Sequence, residues 1–164
     1  MKKWMIVFAL MLAGCSARPV YETIGNACQG FADTEPMNIQ MWLPQEAILE
    51  ASESNGESRY ICGNWEIWTV ICPGGDLNQT LETMSGMDPQ YMTVMSRKMG
   101  EYTCHETVWS TTGESGTMIC HGAVLEDGNH HYCIGLVSSE AESAEAKAVF
   151  DQILESVSLI GTEN

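Results

Sequence analysis

The C-terminal half of the chain contains three β-type segments in succession. They run from Glu101 to Trp109, from Thr117 to Val124 and from His130 to Val137, and Gly-rich turns separate them. Strands joined by such short connections pair with their neighbours in antiparallel order. The pattern therefore predicts a β meander, whose apolar face must be covered by another layer of structure.

Helical patterns lie on both sides of this meander. Asp76 can cap a helix with one apolar face, formed by Leu77, Leu81 and Met84. Asp88-Pro89 is typical of a second helix start. A stripe extends that second helix to Gly100 and consists of Tyr91, Met92, Met95 and Met99. Ser139 with Glu142 resembles a capping box. The closing helix has an apolar face formed by Ala146, Val149, Phe150, Ile153 and Leu154.

Further strands complete the predicted domain. The stretch from Met37 to Pro44 alternates apolar and polar residues, Gly63-Asn64 introduces a strand from Trp65 to Cys72, and Ser156 to Ile160 alternates again. The order β, β, α, α, β, β, β, α, β predicts a single α+β domain over residues 36–160. Its sheet is mainly antiparallel and is covered by two or three helices.

The N-terminus has the pattern of an export signal. Met1-Lys2-Lys3 precedes an apolar run from Trp4 to Leu12, which is shorter than the roughly 20 residues of a membrane-spanning helix. The segment Leu12-Ala13-Gly14-Cys15 resembles the lipobox of bacterial lipoproteins. That resemblance implies that residues 1–14 are removed and that Cys15 receives a diacylglycerol, usually with a further acyl chain such as palmitate.

Cys15 then begins a lipidated tether that extends to residue 35, and residues 161–164 form a short tail. Several acyl chains give stable membrane attachment. Ser16 resembles the residue found after the lipidated cysteine in lipoproteins sorted to the outer membrane, where the domain faces the periplasm. In a Gram-positive cell, the same anchor holds the domain on the outer face of the plasma membrane.

The charge of the chain excludes some partners. After removal of the signal, five basic residues (Arg18, Arg59, Arg97, Lys98, Lys147) remain against 22 acidic ones. Such a surface repels nucleic acid phosphates and anionic lipid headgroups. We therefore expect no nucleic acid partner, and we expect the acyl chains to hold the protein on its membrane. A protein of the cell envelope is the expected partner, and the oligomeric state stays open.

Six of the seven cysteines remain besides Cys15, namely Cys28, Cys62, Cys72, Cys104, Cys120 and Cys133. An even number of cysteines in an exported domain predicts disulfides, because the compartment is often oxidising. Three disulfides are therefore expected, with a mixture of disulfides and free thiols as an alternative. The turn at Asp127-Gly128, taken as a two-residue loop, places Cys133 one diagonal from Cys120.

A metal site is the alternative that the four histidines raise. Imidazole and thiolate ligands from His105, His121, His131 and Cys133, with His130 nearby, suit zinc or copper. Neighbours on a strand point to opposite faces, so only His131 and Cys133 share a face by spacing. The methionines at 84, 87, 92, 95 and 99 offer thioethers for Cu(I), although the same spacing is typical of a buried helix face.

Catalytic motifs are weak in this sequence. Asp127, His121 and nearby serines lack a Gly-x-Ser-x-Gly elbow. Glu66, Glu101 and Glu106 alternate as solvent-facing strand positions do, and Gly74-Gly75 lacks the spacing of a phosphate-binding loop. We therefore expect no enzyme, no catalytic residue and no cofactor besides the lipid.

The order of elements from about Pro36 to Ile160 resembles the PsbP/Mog1-like fold. The resemblance rests on the early strand that ends at a proline, the helix after the second strand pair, the β meander and the terminal helix with Phe150 to Val157. It implies a non-catalytic binding or assembly factor and assigns no site residues. The six cysteines are not part of that general pattern.

Overall fold

The computed structural model describes residues 34–52, 57–114 and 116–161. The export signal, Cys15, the tether, Cys28 and the tail from residue 162 lie outside the described residues, so the expectations for them stay predictions. The strands are β1 (Asn38–Gln40), β2 (Ile48–Ser52), β3 (Ser58–Cys62), β4 (Trp65–Pro73), β5 (Val94–Met99), β6 (Tyr102–Gly113), β7 (Gly116–Glu126), β8 (His130–Ser139) and β9 (Ser158–Ile160); the helices are α1 (Leu77–Ser85) and α2 (Ser143–Ser156).

Seven strands form one antiparallel sheet in the order β2-β3-β4-β8-β7-β6-β5. β1 and β9 pair separately as a short antiparallel ribbon. The predicted α+β class with an antiparallel sheet is confirmed, as are the meander and the first and last helices. Two α-helices accompany the sheet in the described part of the chain.

One core lies between the sheet and α2. Phe150, Ile153 and Leu154 of the helix pack in one buried cluster with Leu125 and Ile134 of the central strands. Side chains of the ribbon, including Leu159, close the same cluster. The face of α2 predicted from its apolar spacing is therefore the buried face.

A second core lies on the opposite side of the sheet under α1. Leu81 and Met84 of this helix pack with Trp68 and Trp109, and Val124 lies in the same buried cluster. Asp76 caps the helix by accepting a hydrogen bond from the backbone N–H of Asn78, and Gly86 ends it with a φ of 70°. The prediction for this helix is confirmed at both its cap and its apolar face.

The predicted helix from Asp88 to Gly100 is wrong. Asp88 does cap the chain, but only a 3₁₀ turn follows at Pro89–Tyr91. The chain then forms β5, which pairs along its length with β6. Sheet pairing and the packing of Val94 and Met99 on opposite cores override the helical spacing of the methionines.

The early strands also differ from the prediction. The expected strand from Met37 to Pro44 is reduced to β1, and β2 and β3 were not predicted. The turn at Gly63-Asn64 is confirmed, because Cys62 and Trp65 pair on either side of it and Gly63 has a φ of 60°. The first hairpin thus extends the sheet beyond β4.

The pairing predicted from a two-residue loop at Asp127-Gly128 is wrong by two positions along β8. Glu126 pairs with His131, which leaves a longer loop. The carboxylate of Asp127 accepts hydrogen bonds from the backbone N–H groups of Asn129 and His130, both at 2.7 Å, and so fixes that loop. Cys133 therefore lies opposite Val124 instead of Gly122.

The predicted framework of three disulfides is wrong. Three bridges among six cysteines would require at least two among the five described ones, and those five are buried free thiols: Cys62, Cys72, Cys104, Cys120 and Cys133. Cys62 and Cys104 lie in the core under α2, whereas the other three lie in the core under α1. The side chains fill apolar positions on two faces of the sheet, as free cysteines commonly do.

A candidate functional site around His105

His105 joins two side chains from neighbouring strands. Its Nδ1 lies 2.8 Å from the hydroxyl oxygen of Ser96, and its Nε2 lies 3.2 Å from Oε2 of Glu126. Ser96 is the register partner of His105 across β5 and β6, and Glu126 lies one diagonal away on β7. The period of two along each strand places all three side chains on the α1 side of the sheet.

The three side chains of this site differ in their exposure to solvent. The His105 side chain is 11% exposed and that of Glu126 is 39% exposed. Ser96 is exposed and lies on β5, the edge strand of the sheet. The hydroxyl is therefore open to solvent, while the imidazole behind it is held between a hydroxyl and a carboxylate. Ser96, His105 and Glu126 are called the relay below.

His131 extends the polar cluster into the core. It is fully buried and faces Glu126 across β7 and β8. Its Nδ1 lies 2.7 Å from the hydroxyl oxygen of Thr80 on α1, and its Nε2 has no hydrogen-bond partner. Burial lowers the pKa of His131, which the nearby Glu126 carboxylate opposes. The residue is thus held neutral.

The metal alternative gains no support from this arrangement. His105 and His131 lie on the α1 side with Cys133, whereas His121 lies on the α2 side beside Phe150, with ring centroids 5.9 Å apart. Within residues 34–52, 57–114 and 116–161, no three His, Cys, Asp or Glu side chains are close enough to hold a metal ion.

Burial makes two of the cysteine thiols, Cys104 and Cys120, unreactive. Burial raises the pKa of Cys120 to about 12 and that of Cys104 to about 11. A thiol with so high a pKa carries little thiolate, the form that ligates metals and attacks electrophiles. Of the five methionines, Met84, Met87 and Met92 pack in or against the α1-side core, as the core-packing interpretation predicts, whereas Met99 packs on the other core and Met95 is exposed.

The acidic residues that the sequence analysis considered for hydrolysis have other partners in the structure. Asp127 is engaged by the loop and by the hydroxyl of Tyr132, which donates to it at 2.8 Å. Glu66 and Glu106 bind Arg59 and Arg97, each at 2.6 Å. These carboxylates stabilise strand pairs.

Sequence reasoning missed Ser96 because β5 was predicted as a helix. It missed Glu126 and Thr80 because their contacts depend on the register of β6 and β7 and on the packing of α1 against the sheet. One signal was present: Gly100-Glu101 is the two-residue turn between the register partners Met99 and Tyr102. Gly100 has a φ of 63°, which suits such a turn. Once that hairpin is accepted, the register places Ser96 opposite His105.

Comparisons with known proteins give a fold and no family. No family model matches the sequence, and no curated protein matches it. A solved structure from Bacteroides thetaiotaomicron VPI-5482 is similar with a TM-score of 0.53 and 11% identity, over 74% of this chain and 44% of that one. The chain thus spans less than half the length of that protein.

A second similar structure is LpqN of Mycobacterium tuberculosis, described as involved in cell envelope biogenesis. Its TM-score is 0.51 at 11% identity, over 78% of this chain and 87% of that one. Among the helices that the structure describes, none has the length and apolar character needed to cross a bilayer. At this level of identity the two comparisons establish a shared fold only.

Proposed function

We propose that this protein is a lipid-anchored component of a bacterial cell envelope whose domain binds another envelope protein along the β2 edge of its sheet. The anchor is Cys15, and the domain is the α+β unit described above. LpqN supports the envelope assignment, because it shares the fold over most of both chains and takes part in envelope biogenesis. A binding or assembly role fits the PsbP/Mog1-like resemblance, which we retain as a hypothesis.

The observation that carries the binding role is the exposure of large apolar side chains at β2. Ile48 is 71% exposed and its neighbour Leu49 is 52% exposed, and both lie on a terminal strand of the sheet. An edge strand also presents backbone hydrogen-bonding groups to solvent, and proteins usually protect such edges with charge or cover. An added strand from a partner would satisfy the backbone and bury both side chains.

Photo-crosslinking in cells tests this binding surface. A photoreactive amino acid at Leu49 is expected to give a discrete adduct, whereas the same residue at Ala148, exposed on α2, is expected to give none. Ile48→Lys should abolish the Leu49 adduct without changing the melting temperature. Equal adducts at both positions, or an adduct that survives Ile48→Lys, would contradict docking at β2.

Fractionation tests the anchor separately. Cys15→Ser should leave the domain folded and move it from the membrane fraction to the soluble fraction. A chain that stays with the membrane after this substitution would contradict anchoring at Cys15. Comparing inner and outer membrane fractions tests the sorting expected from Ser16.

A further inference from the structure

The hydrogen bonds of the relay join its three side chains in the order found in serine hydrolases. A carboxylate only accepts hydrogen bonds, so Glu126 selects the tautomer of His105 that carries its hydrogen on Nε2. Nδ1 is then left as the acceptor for the hydroxyl hydrogen of Ser96, at 2.8 Å. The nucleophile, base and orienting acid of a hydrolytic triad have this same order of contacts.

From this geometry we infer that Ser96 is a nucleophile toward carboxylic esters, with His105 as its base and Glu126 orienting the imidazole. This activity goes beyond the binding role proposed above and departs from the expectation of a non-enzymatic chain. It does not depend on β2, because β2 and β5 lie at opposite edges of the sheet.

The reaction follows from the contacts. The Ser96 oxygen bonds to the ester carbonyl carbon while its proton passes to Nδ1 of His105. The carbon–oxygen bond to the alcohol then breaks, and the alcohol leaves with that proton. Water attacks the acyl-serine next, giving one proton to His105, which returns it to the Ser96 oxygen as the carboxylic acid departs.

The edge position supplies groups for the developing negative charge. Alternate residues of an edge strand direct their backbone N–H groups away from the sheet, and β5 is a terminal strand of the sheet in the described part of the chain, so its outer side presents such donors beside Ser96. Lys98 lies two residues farther on the same face, and its ammonium donates to the hydroxyl of Thr103 at 2.8 Å. A positive charge on this face of the strand favours an oxyanion formed at Ser96.

The surroundings favour a neutral substrate with a short acyl chain. The acidic surface of the chain repels anions. Val94 lies two residues before Ser96 on the same face of β5, and it packs against the α1-side core. It offers an apolar wall for a few carbon atoms next to the hydroxyl.

Covalent labelling is the direct test. The full lipidated protein, purified in detergent, is treated with a fluorophosphonate probe, and the modified peptide is mapped by mass spectrometry. We expect modification at Ser96, and its loss in Ser96→Ala. The matched control is Ser110→Ala, which removes another exposed serine, from β6, and should label as the natural chain does.

Hydrolysis of p-nitrophenyl acetate gives the second readout. His105→Gln should lower the rate about 100-fold or more, the usual contribution of a general base. Glu126→Gln should lower the rate and change its pH profile, which a purely structural role of the carboxylate would not do. Melting temperatures verify that each variant is folded.

The proposal is overturned if the folded natural chain is not labelled at Ser96. It is also overturned if Ser96→Ala hydrolyses the ester at the same rate as the natural chain. Neither result bears on crosslinking at Leu49, so failure of this activity is distinguishable from failure of the binding role.

Discussion

Gly122 and Gly135 face each other across β7 and β8, and the absence of their side chains makes room for two tryptophans. A Cβ on Gly135 would lie 2.2 Å from the ring of Trp68, and one on Gly122 would lie 2.6 Å from the ring of Trp109. Both rings are buried in the core under α1. The two glycines therefore determine how closely the indoles approach the middle of the sheet.

Gly135→Ala is expected to destabilise the fold by about 3 kcal/mol, the upper range for overpacking a core. Its added methyl meets the body of a buried ring that cannot move aside. Gly122→Ala should cost less, because its other near contact is the flexible end of Met84 at 2.9 Å. Urea unfolding measures both.

Gly75→Ala is the control for these substitutions, because a Cβ there meets nothing within 4 Å. A Gly135→Ala protein as stable as Gly75→Ala would contradict the packing of Trp68 on β8.

The stability of the fold should decrease as the pH falls from 7.5 to 5. Burial lowers the pKa of both His131 and His121 in the folded protein. A group whose folded pKa is below its unfolded value of about 6.5 stabilises the fold above that pH, and this contribution is lost on acidification. His131→Gln should reduce the decrease, and the double variant with His121→Gln should reduce it further. An unchanged slope in the double variant would contradict neutral burial of these rings.

Asp127→Asn is expected to cost about 1–3 kcal/mol, the range for losing hydrogen bonds to a buried group. The carboxylate accepts from two backbone N–H groups and from the Tyr132 hydroxyl, and these hydrogen bonds lower the pKa of Asp127 against its desolvation. Asp88→Asn is the matched control at an exposed cap, with an expected cost of at most about 1 kcal/mol. Equal costs in urea unfolding would show that the loop does not depend on Asp127.

The thiols at 62, 72, 104, 120 and 133 should be protected in the folded protein and should carry no disulfides among themselves. Their burial excludes reagents and raises the pKa of Cys62, Cys104 and Cys120. In Cys28→Ser protein, alkylation should therefore be slow until urea is added, and reduction should not change the intact mass. A mass gain on reduction would contradict the arrangement of cysteines in two cores.

The sequence predicted the elements whose patterns agree with their final packing. α1 is an example, because its cap at Asp76 and its apolar face formed by Leu81 and Met84 both hold in the fold. β5 is the counterexample: its methionines repeat at helical spacing, but pairing with β6 decides the structure. Ser96 could therefore not be linked to His105 while β5 was taken as a helix, and the contact of Glu126 with His105 depends on the register of β6 and β7.

The prediction of disulfides was wrong for a different reason. Their even number predicts bridges only if the side chains meet, and meeting depends on which face and which strand each occupies. Cys104 and Cys120 lie on opposite faces of the sheet, in separate cores. The number of cysteines in a sequence does not indicate which core each of them occupies.

The mass of the N-terminal peptide of the protein from its native cells tests the central claim most directly, since export and anchoring underlie the proposed envelope role. Our account predicts a chain that begins at Cys15 and carries a diacylglycerol on its sulfur. A native chain that retains Met1 to Gly14 and lacks a lipid would contradict it.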